Sequence, residues 1–166
     1  FDLFRFASGG PVETWPWIEH GPYPWWTLPE LKLAFLRPLS SALMVLDHAL
    51  FGRAPFPYHL HSILWHLLTI AAAAFVLRHL PAAVGGLALL VFALDEPHSF
   101  PVTWVANRNA LVATAPALLG LGMHLRWREL GWRPGLPLSV LGLGIGLLGG
   151  ETALGAFAYL GAYGVL

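Results

Sequence analysis

The chain contains no cysteine. That excludes a disulfide framework, a thiolate zinc site and a cysteine nucleophile. Charge is also scarce and balanced: charged residues make up 11% of 166, with nine basic and nine acidic side chains. No basic field is available for nucleic acid, and no acidic tail for a cationic partner. What fills the chain instead is apolar surface, 57% of residues, with a mean hydropathy of +0.64. This is more than a soluble domain of this length needs, and the expected solvent is a lipid bilayer. The chain opens at Phe1 and closes inside the apolar run "AFAYLGAYGVL", so it is expected to be part of something longer.

Residues 1–58 are polar-aromatic, rich in Trp and Pro, and too interrupted to span a bilayer. They read as an extracytoplasmic loop. Inside it, "RPLSSALMVLDHALFG" places Leu39, Leu43, Leu46 and Leu50 at helical spacing, with Ser40, Asp47 and His48 on another side and Gly52 as a stop. Such a helix, at about 38–51, is roughly 21 Å long, short of the hydrocarbon thickness, and is expected to lie along the interface. Residues 59–166 read as a transmembrane helical region with spans at 59–77, 82–94, 109–125, 136–149 and 152–166. Pro116 is a candidate kink. The run 136–166 is too long for one straight span; Gly149, Gly150 and Glu151 suggest a hairpin of two helices, with one tilted helix as the alternative. The expected fold is therefore all-α, a polytopic transmembrane helical bundle.

Loop charges set the expected orientation. The turns after 59–77 and 109–125 hold Arg78, Arg126, Arg128 and Arg133 against Glu129, as the cytoplasmic side requires. The remaining acids and the polar clusters then face outward. Asp95, Glu96, His98, Asn107 and Arg108 lie in one outward turn, which reads either as an ordinary wet loop or as part of a site. Arg108 shares a helical face with Trp104 and Leu111, at the top of a span, where a charge usually faces a cavity or the bundle interior. It needs a partner: Asp95, Glu96 or Glu151 at rest, or a bound phosphate. Asp95 and Glu96 with His98 could also hold a divalent cation, although a fourth ligand is missing. His59 and His66 are two turns apart on one face, and His48 and His61 are divided by Pro55 and Pro57. Neither arrangement suits haem; an interhelical hydrogen bond for His66 and an outward cavity for His59 fit better.

The order of three stretches, "FLRPLSSALMVLDHALFGRAPFPYHLHSILWHLL", "VFALDEPHSFPVTWVANRNALVA" and "LLGGETALGAFAYLGAYGVL", resembles the N-terminal membrane half of the protein O-mannosyltransferase superfamily, closest to its tetratricopeptide-containing relatives. The matching positions are Arg37-Pro38-Leu39, then Gly52 through Tyr58-His59 to His66, then Pro97, Val102, Trp104, Asn107 and Arg108, then Glu151. Departures are "DEPHS" in place of a His-Pro-x-His element and Gly150 in place of a Lys before Glu151.

The resemblance implies a GT-C-type glycosyltransferase that moves a sugar from a polyprenyl-phosphate donor to a hydroxyl acceptor outside a bacterial inner membrane, with no cofactor. It implies a carboxylate base in an acidic pair near or upstream of Phe1, for which Asp2 is the candidate here. Arg37 and Arg108 would hold the donor phosphate through bidentate guanidinium contacts. Asp95 and Glu96 would orient those arginines or meet the acceptor, with His59, His98, Asn107 and Glu151 around them. The competing expectation is a non-catalytic membrane protein, a transporter or assembly subunit, on the same scaffold.

Overall fold

The computed structural model describes residues 4–21, 23–95 and 99–165, and the chain is mostly helical. It divides into two compact units, 1–36 and 37–166, so the expected boundary at 58/59 falls inside a helix. In the first unit, a strand β1 (Arg5–Ser8) pairs antiparallel with β2 (Lys32–Ala34), with an irregularity between Arg5 and Ala7. Helix α1 (Pro11–Glu19) lies between them in sequence. The expected loop is thus a closed ribbon carrying one helix, with Thr14 buried and donating from Oγ1 to the carbonyl of Gly10 at 3.0 Å. Trp15, Trp17, Trp25 and Trp26 remain exposed.

The second unit consists of α2 (Pro38–Phe51), α3 (Pro55–Leu77), α4 (Ala82–Leu94), the short α5 (Ser99–Thr103), α6 (Asn109–Leu130), α7 (Gly135–Gly149) and α8 (Leu154–Val165). Local chemistry sets several ends. Pro38 and Pro55 occupy first-turn positions, where a missing N–H removes nothing the helix uses. Gly52 closes α2 at a positive φ of 56°, a conformation that disfavours any side chain. The run 136–166 resolves into two helices, because extended Gly150 and a 3₁₀ turn over Glu151–Ala153 reverse the chain. Pro116 lies within α6, which continues through it.

Helix α6 is the axis of this unit. Antiparallel to it runs α7: Gly135 sits at Met123 and Trp127, Gly142 at Pro116 and Gly120, and Gly149 at Val112 and Ala113. On another side, α3 runs parallel to α6, with Tyr58 beside Arg108 and Phe75 against Gly122. Ala113 and Ala117 of α6, Leu143 of α7, and Ala153 and Ala156 at the start of α8 form the core cluster, flanked by Leu160. Residues 135, 139, 142, 146 and 149 repeat in steps of four and three and are all Gly or Ser, a spacing that keeps one seam of α7 on its neighbour. Small residues there let two backbones approach closely.

Burial on α2 and α3 is inverted relative to a water-soluble bundle, while α6 and α7 bury Leu111, Val112, Leu121 and Leu143. The buried positions of α2 are Ser40, Ser41 and Asp47, while Val45, Leu46 and Leu50 are exposed. On α3, Ser62, Thr69, Ala72 and Ala73 are buried, while Leu60, Ile63, Leu64 and Leu67 are exposed. Among the described residues α3 is the one helix long and apolar enough, by length and composition, to cross a membrane; α2, α4 and α7 are shorter apolar helices.

The seam generates a paired test. A Cβ on Gly142 would stand 2.8 Å from the Gly120 Cα and the Pro116 carbonyl, whereas one on Gly144 meets nothing within 4 Å. Gly142→Ala should therefore destabilise the detergent-solubilised protein by about 1–3 kcal/mol of overpacking strain. Gly144→Ala should leave the thermal midpoint unchanged or raise it, since Ala is the better helix former. Equal effects at the two positions would contradict the seam.

A buried charge network at one end of the bundle

The N-terminal ends of α3, α6 and α8 and the C-terminal end of α7 meet at one end of the second unit, with α2 packed against them. One face of α2 makes the junction. Ser40 donates from Oγ to the carbonyl of Gly149 at 2.6 Å, tying the start of α2 to the end of α7. One turn on, Met44 Sδ lies 3.6 Å from the Arg108 guanidinium, and at the next turn Asp47 forms an ion pair with Arg108. Both members of that pair are almost fully buried, with side-chain exposures of 2% and 3%. Arg108 also donates to the Tyr58 carbonyl at 3.3 Å.

Asp47 has a second donor. His61 Nδ1 stands 2.8 and 3.0 Å from its two carboxylate oxygens, and His61 Nε2 is 3.0 Å from the indole nitrogen of Trp65. An indole N–H can only donate, so Nε2 accepts and the ring proton sits on Nδ1, facing the carboxylate. The network thus ties α2, α3 and the start of α6 together, and its carboxylate is satisfied by an arginine and a histidine as a buried charge requires. Tyr58 closes the α2–α3 turn by donating to the Gly52 carbonyl at 2.7 Å.

A second ion pair lies at the same end. Arg37, immediately before α2, makes a two-point contact with Glu151 in the α7–α8 turn, with Nε donating to Oε2 at 2.9 Å and Nη2 meeting Oε1. Here the partners differ in exposure: the Arg37 side chain is 11% exposed and that of Glu151 46%. Hydrogen bonds from the guanidinium hold the Glu151 carboxyl below the usual glutamate range, against partial burial, which acts the other way.

The expected site residues distribute unevenly over this arrangement. Arg37, Glu151 and Arg108 share the charged end, but Arg108 takes Asp47 as its carboxylate, not Asp95 or Glu151. Asn107 is half-buried in the 3₁₀ turn just ahead of α6, His59 is exposed on the first turns of α3, and Asp95 is exposed at the end of α4. Asp2, Glu96 and His98 lie outside the described residues, so the expected base and two members of the acidic turn have no placement. Among the described residues no three metal-ligating side chains converge. Sequence reasoning placed Asp47 on the polar side of α2 and weighed His61 only for haem, pairing neither with Arg108, and it passed over Trp65. The signals were present as a face of α2 running Ser40, Met44, Asp47 and as the i, i+4 pair His61–Trp65.

Chemically, the two pairs are suited to different work. The Asp47–Arg108 pair is closed to solvent and internally neutralised, which suits holding helices in place. The Arg37–Glu151 pair has an exposed carboxylate over a largely covered guanidinium, so an incoming anion can take the guanidinium by displacing Glu151. Compared with protein-family models, characterised proteins and solved structures, the chain matches none. The structure defines a mostly helical protein with, among the described residues, one helix able by length and composition to cross a membrane.

The Glu151 shift has a pH consequence with a definite sign. Because the folded carboxyl titrates lower than the unfolded one, the unfolded chain takes up the proton first as pH falls, and the contribution of the pair declines. It should be complete above the ordinary glutamate value of about 4.3 and vanish as pH drops through the lowered folded value. The stability difference between the wild-type protein and Glu151→Gln, followed by thermal unfolding from neutral pH into acid, should stay level and then narrow. A difference that widens in acid would contradict the assignment.

Proposed function

We propose that this chain is the multi-pass membrane part of a glycosyltransferase-like protein that takes a sugar from a polyprenyl-phosphate donor on the extracytoplasmic side of a bacterial inner membrane. Support for the membrane setting comes from the burial pattern of α2 and α3, where Val45, Leu46, Leu50, Leu60, Ile63, Leu64 and Leu67 are exposed while Ser40, Ser41, Asp47, Ser62 and Thr69 are buried. That pattern suits hydrocarbon outside, since only small and polar residues gain from facing one another there. Support for the orientation comes from the arginine bias of the turns at the other end.

The observation that carries the donor reading is the Arg37–Glu151 fork. A departing lipid phosphate needs a cation near the bilayer edge, and Arg37 is held ready by a carboxylate that a phosphate can replace. In this reading Arg108 acts as a positioning residue: with Asp47 it fixes α2, and α2 fixes Arg37. The catalytic carboxylate is expected among residues around Asp2 or further upstream, and the acceptor hydroxyl would approach from the same side. The second reading, a non-catalytic membrane protein, is favoured by the sealed, mutually neutralised Asp47–Arg108 pair, which asks for no ligand.

Opposite-signed effects separate the two readings. With polyprenyl phosphate as the probe and the full-length protein in detergent, Arg37→Lys should keep the charge but lose the planar fork, weakening binding about tenfold, or about 1.4 kcal/mol. Glu151→Gln should tighten it, because the competitor for Arg37 is removed. Unchanged binding in both folded variants would leave the non-catalytic reading.

A further inference from the structure

The opposite end of the bundle carries cations of a different kind. Arg78, Arg126, Arg128 and Arg133 gather there with Glu129, and Glu129 is already engaged by His79 Nδ1 at 2.6 Å. Three of the four arginines rest on aromatic rings. Arg78 stands 4.1 Å over Phe75, Arg126 4.6 Å over Trp132 and Arg128 5.9 Å from Trp127. Among the described residues Arg78 has no carboxylate partner within 4.0 Å. Two polar atoms at this end, His79 Nε2 and Arg126 Nε, are buried with no hydrogen-bond partner among the described residues. Arg126 Nε is a donor without an acceptor, whereas His79 Nε2, on a ring that donates from Nδ1 to Glu129, is an acceptor without a donor.

Beside Arg78 lies an apolar groove of about 310 Å³ between the end of α3 and the start of α4, with Ala74, Leu77, Leu89, Gly85 and Gly86 along it and Arg78 among its lining. The two glycines differ in role. A Cβ on Gly85 would meet the Leu77 carbonyl at 2.7 Å, so this residue lets α4 press onto α3; one on Gly86 meets nothing within 4 Å and points into open space. An unpaired guanidinium beside a greasy slot matches a molecule with an anionic head and a hydrocarbon chain.

We propose that this groove is a binding site for an anionic phospholipid, its phosphate on Arg78 and one acyl chain along Ala74, Leu77, Gly86 and Leu89. Charge complementarity selects the occupant: basic pockets between helices on the cytoplasmic side favour acidic headgroups, and Arg78 lies at the edge of an otherwise apolar groove. The proposal rests on the multi-pass membrane reading and is independent of the donor site at the other end.

The test is native mass spectrometry of the protein from mixed micelles of phosphatidylglycerol and phosphatidylcholine, with Arg53→Gln, in the α2–α3 turn, as a charge-removing control. Wild type and the control should retain phosphatidylglycerol in preference by about fivefold, the ratio equivalent to about 1 kcal/mol for one arginine at a phosphate. Arg78→Gln should erase the preference while lipid is still carried. Gly86→Leu, which fills the groove from an open position, should lower retention of both lipids. Equal retention of the two lipids by the wild type, or variants that behave like it, would overturn the proposal. An alkaline carbonate wash of the source membranes reads the underlying setting separately: protein that washes off defeats the multi-pass reading, whereas protein that stays but shows no lipid preference defeats the groove alone.

Discussion

The buried pair of Asp47 and Arg108 is the constraint on which the charged end of the bundle depends. Two opposite charges removed from water lose solvation that only close, fully hydrogen-bonded geometry can restore. Here the geometry is supplied from three directions: Arg108 at the start of α6, His61 from α3, and Asp47 itself from α2. The large side chains Val45, Leu46 and Leu50 of α2 point away, so its inward face is held by Asp47 together with Ser40. Once α2 is fixed by Asp47 at one turn and by Ser40 at another, Arg37 at its head is delivered to Glu151. The exposed, exchangeable ion pair therefore sits on a sealed, unexchangeable one.

The rest of the unit obeys the same logic with smaller groups. Apolar burial is confined to a small core around Leu111, Val112, Leu121 and Leu143, so close backbone contact and polar bonds share the work of joining the helices. The glycine and serine seam of α7 on α6 supplies the contact, Ser40 supplies a bond from α2 to the α7 carbonyl of Gly149, and the buried hydroxyls of Ser62 and Thr69 bond to carbonyls one turn back in α3 itself. The two ends then diverge in character. At one, carboxylates match arginines; at the other, arginines lie over aromatic rings, and the acid present, Glu129, bonds to a histidine.

Much of the helical layout was legible because local chemistry writes it. Pro38 and Gly52 bracket α2 where expected, and Gly149-Gly150-Glu151 announces a break inside a run too long for one span, whereas α3 begins at Pro55, four residues ahead of the expected span. The β1–β2 ribbon was not legible. Its strands are three and four residues long and separated by α1 and a Trp- and Pro-rich stretch, so only non-local pairing reveals them. The partner of Arg108 was hidden for the same reason. Asp47 lies 61 residues away, on a helix whose leucines drew attention to its other face. The α7 seam was not read from the sequence: its four-three repeat of small residues gains meaning only once the turn at Gly131 and Gly135 brings α7 back along α6.

The most direct measurement of the central claim is a double-mutant cycle between positions 47 and 108, using Asp47→Asn, Arg108→Met and the double variant, each unfolded thermally in the same detergent. Removal of either charge alone should destabilise by about 3–5 kcal/mol, because it leaves the other buried and unpaired. The double variant should be less damaged than the sum of the singles, with a coupling on the order of 2 kcal/mol or more. Singles that add within about 0.5 kcal/mol would show that Asp47 and Arg108 do not hold one another, and the account of how α2 positions Arg37 would fall with them.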